Sequence, residues 1–146
     1  MVLNSSQLVD YGFVTWRSFS LIQENALLTV LPKQMGVYVI RDSKNFGRYK
    51  GESDIVYIGS TISSRGLKRR IRFYFHPGQT QHTSQRIHNL LRRIHTLEIS
   101  WICYQSGVDA RNLEKKLLNQ YHSDHHELPP FNRQGVRLAL PPKISS

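Results

Sequence analysis

The chain has 146 residues, of which 39% are hydrophobic and 10% aromatic, as expected for one folded domain with a single core. No apolar run approaches the roughly 18 residues that a membrane-spanning helix needs, and the first residues lack the charged and apolar regions of a signal peptide. The single cysteine, Cys103, excludes an internal disulfide. We therefore expect a protein of the reducing cytoplasm that makes no membrane contact.

The charge of the chain is strongly one-sided. Twenty Lys and Arg residues against ten acidic residues give a net charge of +10, and no acidic residue occurs between Asp54 and Glu98. A field of one sign attracts a polyanion, and this clustering favours nucleic acid over an anionic membrane or a merely solvated basic face. The residues that we expect to contact nucleic acid are Arg65, Lys68, Arg69, Arg72, Arg86, Arg92 and Arg93.

The first 34 residues carry the weakest pattern in the chain. Residues 11–16 are compatible with a strand, and residues 23–31 with a short helix stopped by Pro32. We assign residues 1–34 to an N-terminal extension that packs on the main domain. The sequence does not indicate a function for it.

Two β-branched runs, residues 36–40 and 55–59, each hold one tyrosine between aliphatic residues and a glycine at the outer end. Such runs predict paired strands. If they pair antiparallel, Tyr38 and Tyr57 lie on one face of the sheet. Strict alternation of side chains along a strand also places Tyr57 on the same side as Ile55.

Between and after these strands the pattern predicts a loop, three helices and a third strand. Leu67, Ile71 and Phe75 form one face of the first helix, and Arg70 and Tyr74 are neighbours on its flank. The other predicted elements are an enlarged hairpin loop over residues 41–54, a helix from Thr83 or Ser84 whose buried stripe reaches Leu97, a strand over residues 99–104, a helix capped by Asp109 and ending near Tyr121, and a frayed tail over residues 135–146.

Glu114 is unusual because it falls inside the apolar arc of the last predicted helix. A carboxylate that faces a core is costly unless it is paired or binds a cation. An ion pair with Arg111, a place at the edge of the apolar arc, and a bound cation all remain open. Arg70 taken alone fits a surface arginine, and Asn132 taken alone fits a turn residue after two prolines.

Taken in order, these residues resemble the GIY-YIG nuclease superfamily over residues 36–134, about two thirds of the chain. The resemblance implies a small α/β (α+β) domain, here residues 35–134, with a three-stranded antiparallel sheet flanked by helices. The matching positions are Gly36-Val37-Tyr38, Tyr57-Ile58-Gly59, a helical Arg70 followed one turn later by Tyr74, a helical Glu114, and Asn132 after Pro129-Pro130-Phe131.

The resemblance implies hydrolysis of DNA phosphodiester bonds with one Mg²⁺ or Mn²⁺ ion per site. By position, Glu114 would hold the metal and Arg70 would contact the scissile phosphate. Tyr57 would orient or deprotonate the attacking water, with Tyr38 as its neighbour. Tyr74 would lie near the site for proton transfer.

Two further positions complete the resemblance. Asn132 matches an asparagine that ties the site together by hydrogen bonds. Ser60 stands where some members carry a lysine, so that lysine contact is lost here.

Several functions are compatible with these sequence features. A lone catalytic domain resembles repair or structure-selective nucleases, or a subunit that a partner protein targets to its substrate. A small restriction-type enzyme acting as a dimer and a non-catalytic nucleic-acid-binding protein are the alternatives. Whether the protein is a monomer or a homodimer stays open.

Overall fold

The computed structural model describes residues 3–132 of the chain. Its strands are β1 (Arg17–Ser18), β2 (Met35–Gly47), β3 (Glu52–Thr61) and β4 (Glu98–Tyr104). Its helices are α1 (Glu24–Val30), α2 (Gly66–Phe75), α3 (His82–Arg93) and α4 (Gly107–His125), with short 3₁₀ helices at Ser5–Tyr11 and Leu21–Gln23. The predicted tail over residues 135–146 lies outside the described residues. No helix within residues 3–132 is both long and apolar enough to cross a bilayer.

The sheet is antiparallel, as predicted, but it has four strands instead of three, in the order β1-β4-β2-β3. The added strand comes from the N-terminal extension, where Arg17 pairs with Ile99 and Ser18 with Glu98. This pairing covers an edge of β4 that would otherwise expose unpaired backbone groups. The strand predicted over residues 11–16 is wrong, because the 3₁₀ helix reaches Tyr11 and the strand begins only at Arg17.

The hairpin between β2 and β3 is longer than predicted. Phe46 still pairs with Ser53, so the enlarged loop over residues 41–54 is wrong and the turn occupies only residues 48–51. The far end of the hairpin is fixed to the last turn of α4, where a ring nitrogen of His125 lies 2.9 Å from the carbonyl oxygen of Lys50. Contacts with the rest of the protein thus give a strand conformation to a polar segment whose sequence alone predicts a loop.

A β-bulge changes the direction of one predicted site residue. Ile40 of β2 pairs with Tyr57 of β3, but the next residue of β2, Arg41, pairs with Ile55. Val56 is therefore an extra residue in β3. Val56 and Tyr57 consequently both face one core, and Ile55 faces the other. The expectation that Tyr57 shares a side with Ile55 is therefore wrong.

The sheet separates two hydrophobic cores. One core lies against α1, α2 and α3 and contains the predicted apolar face of α2, with Leu67 and Ile71 fully buried. The other lies against α4 and the first 3₁₀ helix. Each such aliphatic side chain contributes about 1.5–3 kcal/mol by leaving water. The two cores fix α2 and α4 on opposite faces of the same sheet.

The helix boundaries differ from the prediction at several points. α3 begins at His82 with Gln81 before it, so the start predicted at Thr83 or Ser84 is wrong. α3 ends at Arg93, so the buried Leu97 belongs to the connection before β4. Ser106, whose side chain accepts a hydrogen bond from the Asp109 amide, caps α4 in place of Asp109. α4 then continues to His125, beyond the predicted end near Tyr121.

Candidate active site

Three tyrosine rings form a cluster where β2, β3 and α2 meet. The ring centroids of Tyr38 and Tyr57 are 6.0 Å apart, and Tyr74 lies 6.1 Å from Tyr38 and 6.3 Å from Tyr57. The hydroxyls of Tyr38 and Tyr74 are hydrogen-bonded to each other. The prediction that the two strand phenols share a face is confirmed, and α2 adds the third phenol.

Gly59 allows this close approach. A Cβ atom added at Gly59 would lie 2.6 Å from the Tyr38 hydroxyl oxygen and 2.6 Å from a ring carbon of Tyr57. Any other residue would push the rings apart. The glycine that ends the second tripeptide is therefore a packing requirement of the tyrosine cluster.

The tyrosines differ in their contact with solvent. Tyr38 and Tyr74 are fully buried, whereas Tyr57 keeps 9% of its surface exposed. Burial raises the pKa of Tyr38, and the nearby Tyr57 raises it further. Burial likewise raises the pKa of Tyr74 well above its ordinary value. Tyr38 and Tyr74 therefore stay neutral at physiological pH and act through hydrogen bonds.

Arg70 lies beside this cluster, with its guanidinium carbon 5.5 Å from the centre of the Tyr74 ring. The neighbouring Tyr38 raises the pKa of Arg70, and this effect outweighs burial, which lowers it. The guanidinium is therefore a permanent positive charge in a largely buried, aromatic setting. Such a setting strengthens its interaction with any anion that reaches it.

Glu114 approaches from the opposite face of the sheet, on α4. Its Oε1 atom accepts a hydrogen bond of 2.7 Å from the Ser60 hydroxyl. Burial raises the pKa of the Glu114 carboxyl, while Ser60, Arg111 and Arg70 act in the opposite direction. No salt bridge joins Glu114 to Arg111 in the described chain, so the ion pair considered above does not form.

The two sides come together around the free edge of β3. Gly59 faces the tyrosine cluster and the next residue, Ser60, faces α4, because successive residues of a strand point to opposite faces. Among residues 3–132, β3 is the last strand of the sheet, so no further strand of this range lies beyond that edge. Among the three groups that lower the pKa of the Glu114 carboxyl, Arg70 has the smallest effect.

Asn132 pairs with this edge. Its side-chain oxygen accepts a 3.0 Å hydrogen bond from the Ile58 amide, and its side-chain nitrogen donates a 2.7 Å bond to the Ile58 carbonyl. The amide of Phe131 donates to the carbonyl of Val56 at 3.1 Å. Asn132 therefore holds the backbone directly before Gly59, and in this structure its contacts are positioning contacts.

The basic residues predicted to contact nucleic acid do not form one surface. Four of them, Arg65, Lys68, Arg69 and Arg72, line a groove beside α2, whereas Arg92 and Arg93 are exposed at the end of α3. Arg86 was expected outside but is half-buried, 5.1 Å from the Phe131 ring. Its Nη1 atom is buried without an acceptor among residues 3–132.

Ser60 is a site residue that the sequence did not single out for a role. It appears in the sequence only as the place of a missing lysine, and nothing there shows that its hydroxyl bonds the acidic residue 54 positions later. The one available signal is its position directly after the second tripeptide.

The oxygen donors at this edge fit a hard divalent cation. The second carboxylate oxygen of Glu114 accepts no hydrogen bond from the described residues, and residues 3–132 contain no group of three or more His, Cys, Asp or Glu side chains placed to hold a metal ion. Mg²⁺ typically keeps several waters and binds through one or two carboxylates, whereas a structural zinc site needs four protein ligands. The residues present therefore fit Mg²⁺ or Mn²⁺.

The fold and the ordered tyrosines, arginine, glutamate and asparagine define a GIY-YIG domain. Residues 34–132 match the family described as the UvrC-like GIY-YIG domain. The chain therefore belongs to the UvrC-like GIY-YIG family, which confirms the predicted superfamily and fold class.

Comparison with solved structures finds crystal structures of the GIY-YIG N-terminal endonuclease domain of UvrC from Thermotoga maritima. The form bound to its catalytic magnesium is 22% identical, covers 76% of this chain and 97% of that chain, and has a TM-score of 0.49. Two point variants of the same domain, both bound to the catalytic divalent cation, are 21% and 20% identical, each covering 77% of this chain and 97% of that chain with a TM-score of 0.49. Comparison with curated proteins finds no match.

Proposed function

We propose that this protein is a divalent-metal-dependent endonuclease that hydrolyses DNA phosphodiester bonds in repair or in structure-selective cleavage. The observation that carries the proposal is the placement of two charged groups at consecutive residues of β3: Glu114 accepts a hydrogen bond from Ser60, and Arg70 lies beside the tyrosine cluster that packs on Gly59. The UvrC-like family of the chain supports the same class of activity. Residues 35–134 would form the nuclease domain, acting in the cytoplasm as a monomer or homodimer.

Arg70 would bind the scissile phosphate. A guanidinium offers parallel N–H groups that match two phosphate oxygens. Because Arg70 is largely desolvated and fixed beside Tyr74, it needs little reorganisation as negative charge develops on the phosphate. Its main contribution would thus be to the stability of the transition state.

Tyr57 would orient the attacking water. It is the phenol of the cluster that reaches the surface, whereas Tyr38 and Tyr74 are closed off and bonded to each other. Those two phenols would hold Tyr57 and Arg70 in place. Since Tyr57 keeps 9% of its surface exposed, its phenol oxygen can accept a hydrogen bond from the attacking water, or its O–H can donate one to a phosphate oxygen.

Glu114 would hold one Mg²⁺ or Mn²⁺ ion per site, and the Ser60 hydrogen bond would orient its carboxylate. When bound, the ion supplies positive charge that stabilises the phosphate and the leaving oxygen. Asn132 would keep the β3 edge in register with α4 by pairing with Ile58.

The test is plasmid nicking in Mg²⁺ or Mn²⁺. Glu114→Gln removes the ionised carboxylate, and we expect nicking to fall about 10²–10³-fold, the size seen when one preorganised electrostatic group is lost. Glu52→Gln is the matched control, because Glu52 is exposed on the hairpin. If Glu114→Gln nicks as fast as wild type, the nuclease proposal fails.

A defined substrate panel separates the remaining alternatives. Cleavage at discrete sites on plasmids would indicate a restriction-type enzyme, whereas preference for damaged or branched DNA would indicate repair. Binding without any nicking, in wild type and variant alike, would indicate a non-catalytic binding protein.

A further inference from the structure

A groove of about 750 Å³ runs between α1 and the outer face of α2. α1 belongs to the N-terminal extension, and the buried Leu27 of the helix and Leu31 directly after it fix it in the core beside α2. The cations that line the groove are Lys33, Arg65, Lys68, Arg69 and Arg72.

The positive charge of the groove is not balanced within the described chain. Among residues 3–132, Glu24 is the one acid that lines it, and its carboxylate lies 2.6 Å from a ring nitrogen of His76. None of the five cations takes part in a salt bridge among residues 3–132. The groove therefore offers several cationic donors to an external anion.

The groove and the catalytic arginine occupy opposite sides of one helix. Residues four apart lie in a row along a helix, so Lys68 and Arg72 share the groove side, and His76, directly after the helix, also lines the groove. Arg70 follows Lys68 by two residues, which is a rotation of about 200° around the axis. With its side chains the helix is about 10 Å across, so one short segment of ligand cannot contact both sides.

We propose that this groove binds the phosphodiester backbone of a nucleic-acid segment away from the bond held at Arg70. The inference rests on the proposed function, because the same substrate would supply both segments. The substrate would then pass around α2, and the N-terminal extension would form the second wall of its path.

The lining of the groove favours nucleic acid over an acidic protein segment. Leu28 is its only apolar lining residue in the described chain. Protein partners depend on aromatic and aliphatic anchors that enter desolvated pockets. Phosphate backbones need only cations, and arginine forks suit them best.

The test measures binding of labelled single- and double-stranded oligonucleotides of increasing length, by fluorescence anisotropy in the presence of a metal chelator. The groove variant is Lys68→Glu/Arg72→Glu. The matched control, Lys44→Glu/Lys50→Glu, makes the same change in net charge on the exposed hairpin. We expect the groove variant to weaken binding of long oligonucleotides at least tenfold more than the control does.

Length and salt sharpen the expectation. A short oligonucleotide can occupy either side of α2, so the difference between the two variants should be smaller for the shortest oligonucleotides than for long ones. For long single strands the slope of log affinity against log salt should fall by about 1.4 in the groove variant, the value for two lost phosphate contacts. If both variants weaken binding equally at every length, the basic field is general and the groove is not a site.

Two further measurements complete the test. Lys33→Glu changes the other wall of the groove and should act in the same direction, so the proposal stays testable if the α2 variant does not fold. A polyglutamate peptide that binds wild type as tightly as a long oligonucleotide, and loses affinity in the variant, would overturn the nucleic-acid assignment. Binding is measured without metal, and nicking is measured with it. If the protein binds oligonucleotides through the groove but does not nick DNA, the nuclease proposal fails and the groove proposal is kept.

Discussion

The two sides of α2 show how differently one basic helix uses its charges. On the sheet side, Arg70 is largely buried and held beside Tyr74 in a low-dielectric setting. On the outer side, Lys68 and Arg72 face an open groove, where water and salt screen them. Loss of the single charge on the sheet side should therefore have a large effect by itself. Loss of one charge on the outer side should have a small effect, because several cations share the contact there.

Exchange of arginine for lysine on each side gives the largest expected contrast. Arg70→Lys keeps the charge but loses the planar fork, and we expect nicking to fall about 10²–10³-fold. Arg72→Lys keeps the charge of an exposed groove residue, so nicking should stay within about twofold of wild type. The measurement is the single-turnover rate on plasmid DNA. Equal losses in both variants would contradict the division between the two sides.

The pH dependence of metal binding gives the next contrast. Burial raises the pKa of Glu114, and the metal needs the ionised carboxylate, so Mn²⁺ affinity should fall about tenfold per pH unit below that raised pKa. Titration of Mn²⁺ by electron paramagnetic resonance measures this. The fall should begin at a higher pH than for an ordinary glutamate, and a fall beginning in the ordinary range would contradict it.

Without metal, the contribution of Glu114 to the free energy of unfolding should rise as pH falls, whereas its metal affinity should fall. A raised pKa means that the folded chain binds the Glu114 proton more tightly than the unfolded chain does. The contribution of Glu114 to the free energy of unfolding should therefore rise as pH falls through the raised pKa toward the ordinary one. Glu114→Gln should remove this dependence from urea unfolding curves.

The hydrogen bond between Tyr38 and Tyr74 gives the smallest effect and a test of the buried side. Tyr38→Phe or Tyr74→Phe leaves the other hydroxyl buried without this partner, at a cost of about 1–3 kcal/mol in the free energy of unfolding. The double variant removes both hydroxyls and should cost less than the sum of the single changes. Urea unfolding measures all three, and strictly additive losses would show that the pair is not coupled.

Local sequence patterns predicted several strands and helices and marked one unusual residue of the candidate site. β-branched runs with one tyrosine and a terminal glycine predicted β2 and β3, and apolar spacing predicted α2 and its buried face. These signals succeed because strand and helix periods fix which neighbouring residues share a face. The position of Glu114 within an apolar arc likewise marked it as unusual before any contact was known.

Features that depend on distant partners could not be read in this way. The bulge that turns Tyr57 away from Ile55 arises from pairing with β2, and strict alternation predicts the opposite face. The ordered hairpin depends on contacts with the end of α4, including the ring of His125. The half-buried position of Arg86 depends on Phe131, which lies 45 residues later in the chain.

The sequence by itself determined the superfamily, the order of the main elements and the residue types of the candidate site, because these follow from local spacing and residue chemistry. Tertiary structure alone decided that Ser60 bonds Glu114, that Arg70 lies beside the tyrosine cluster packed on Gly59, and that α1 and α2 enclose a basic groove. Each of these joins segments far apart in the chain, and the free energy that brings them together comes from core packing on both faces of the sheet.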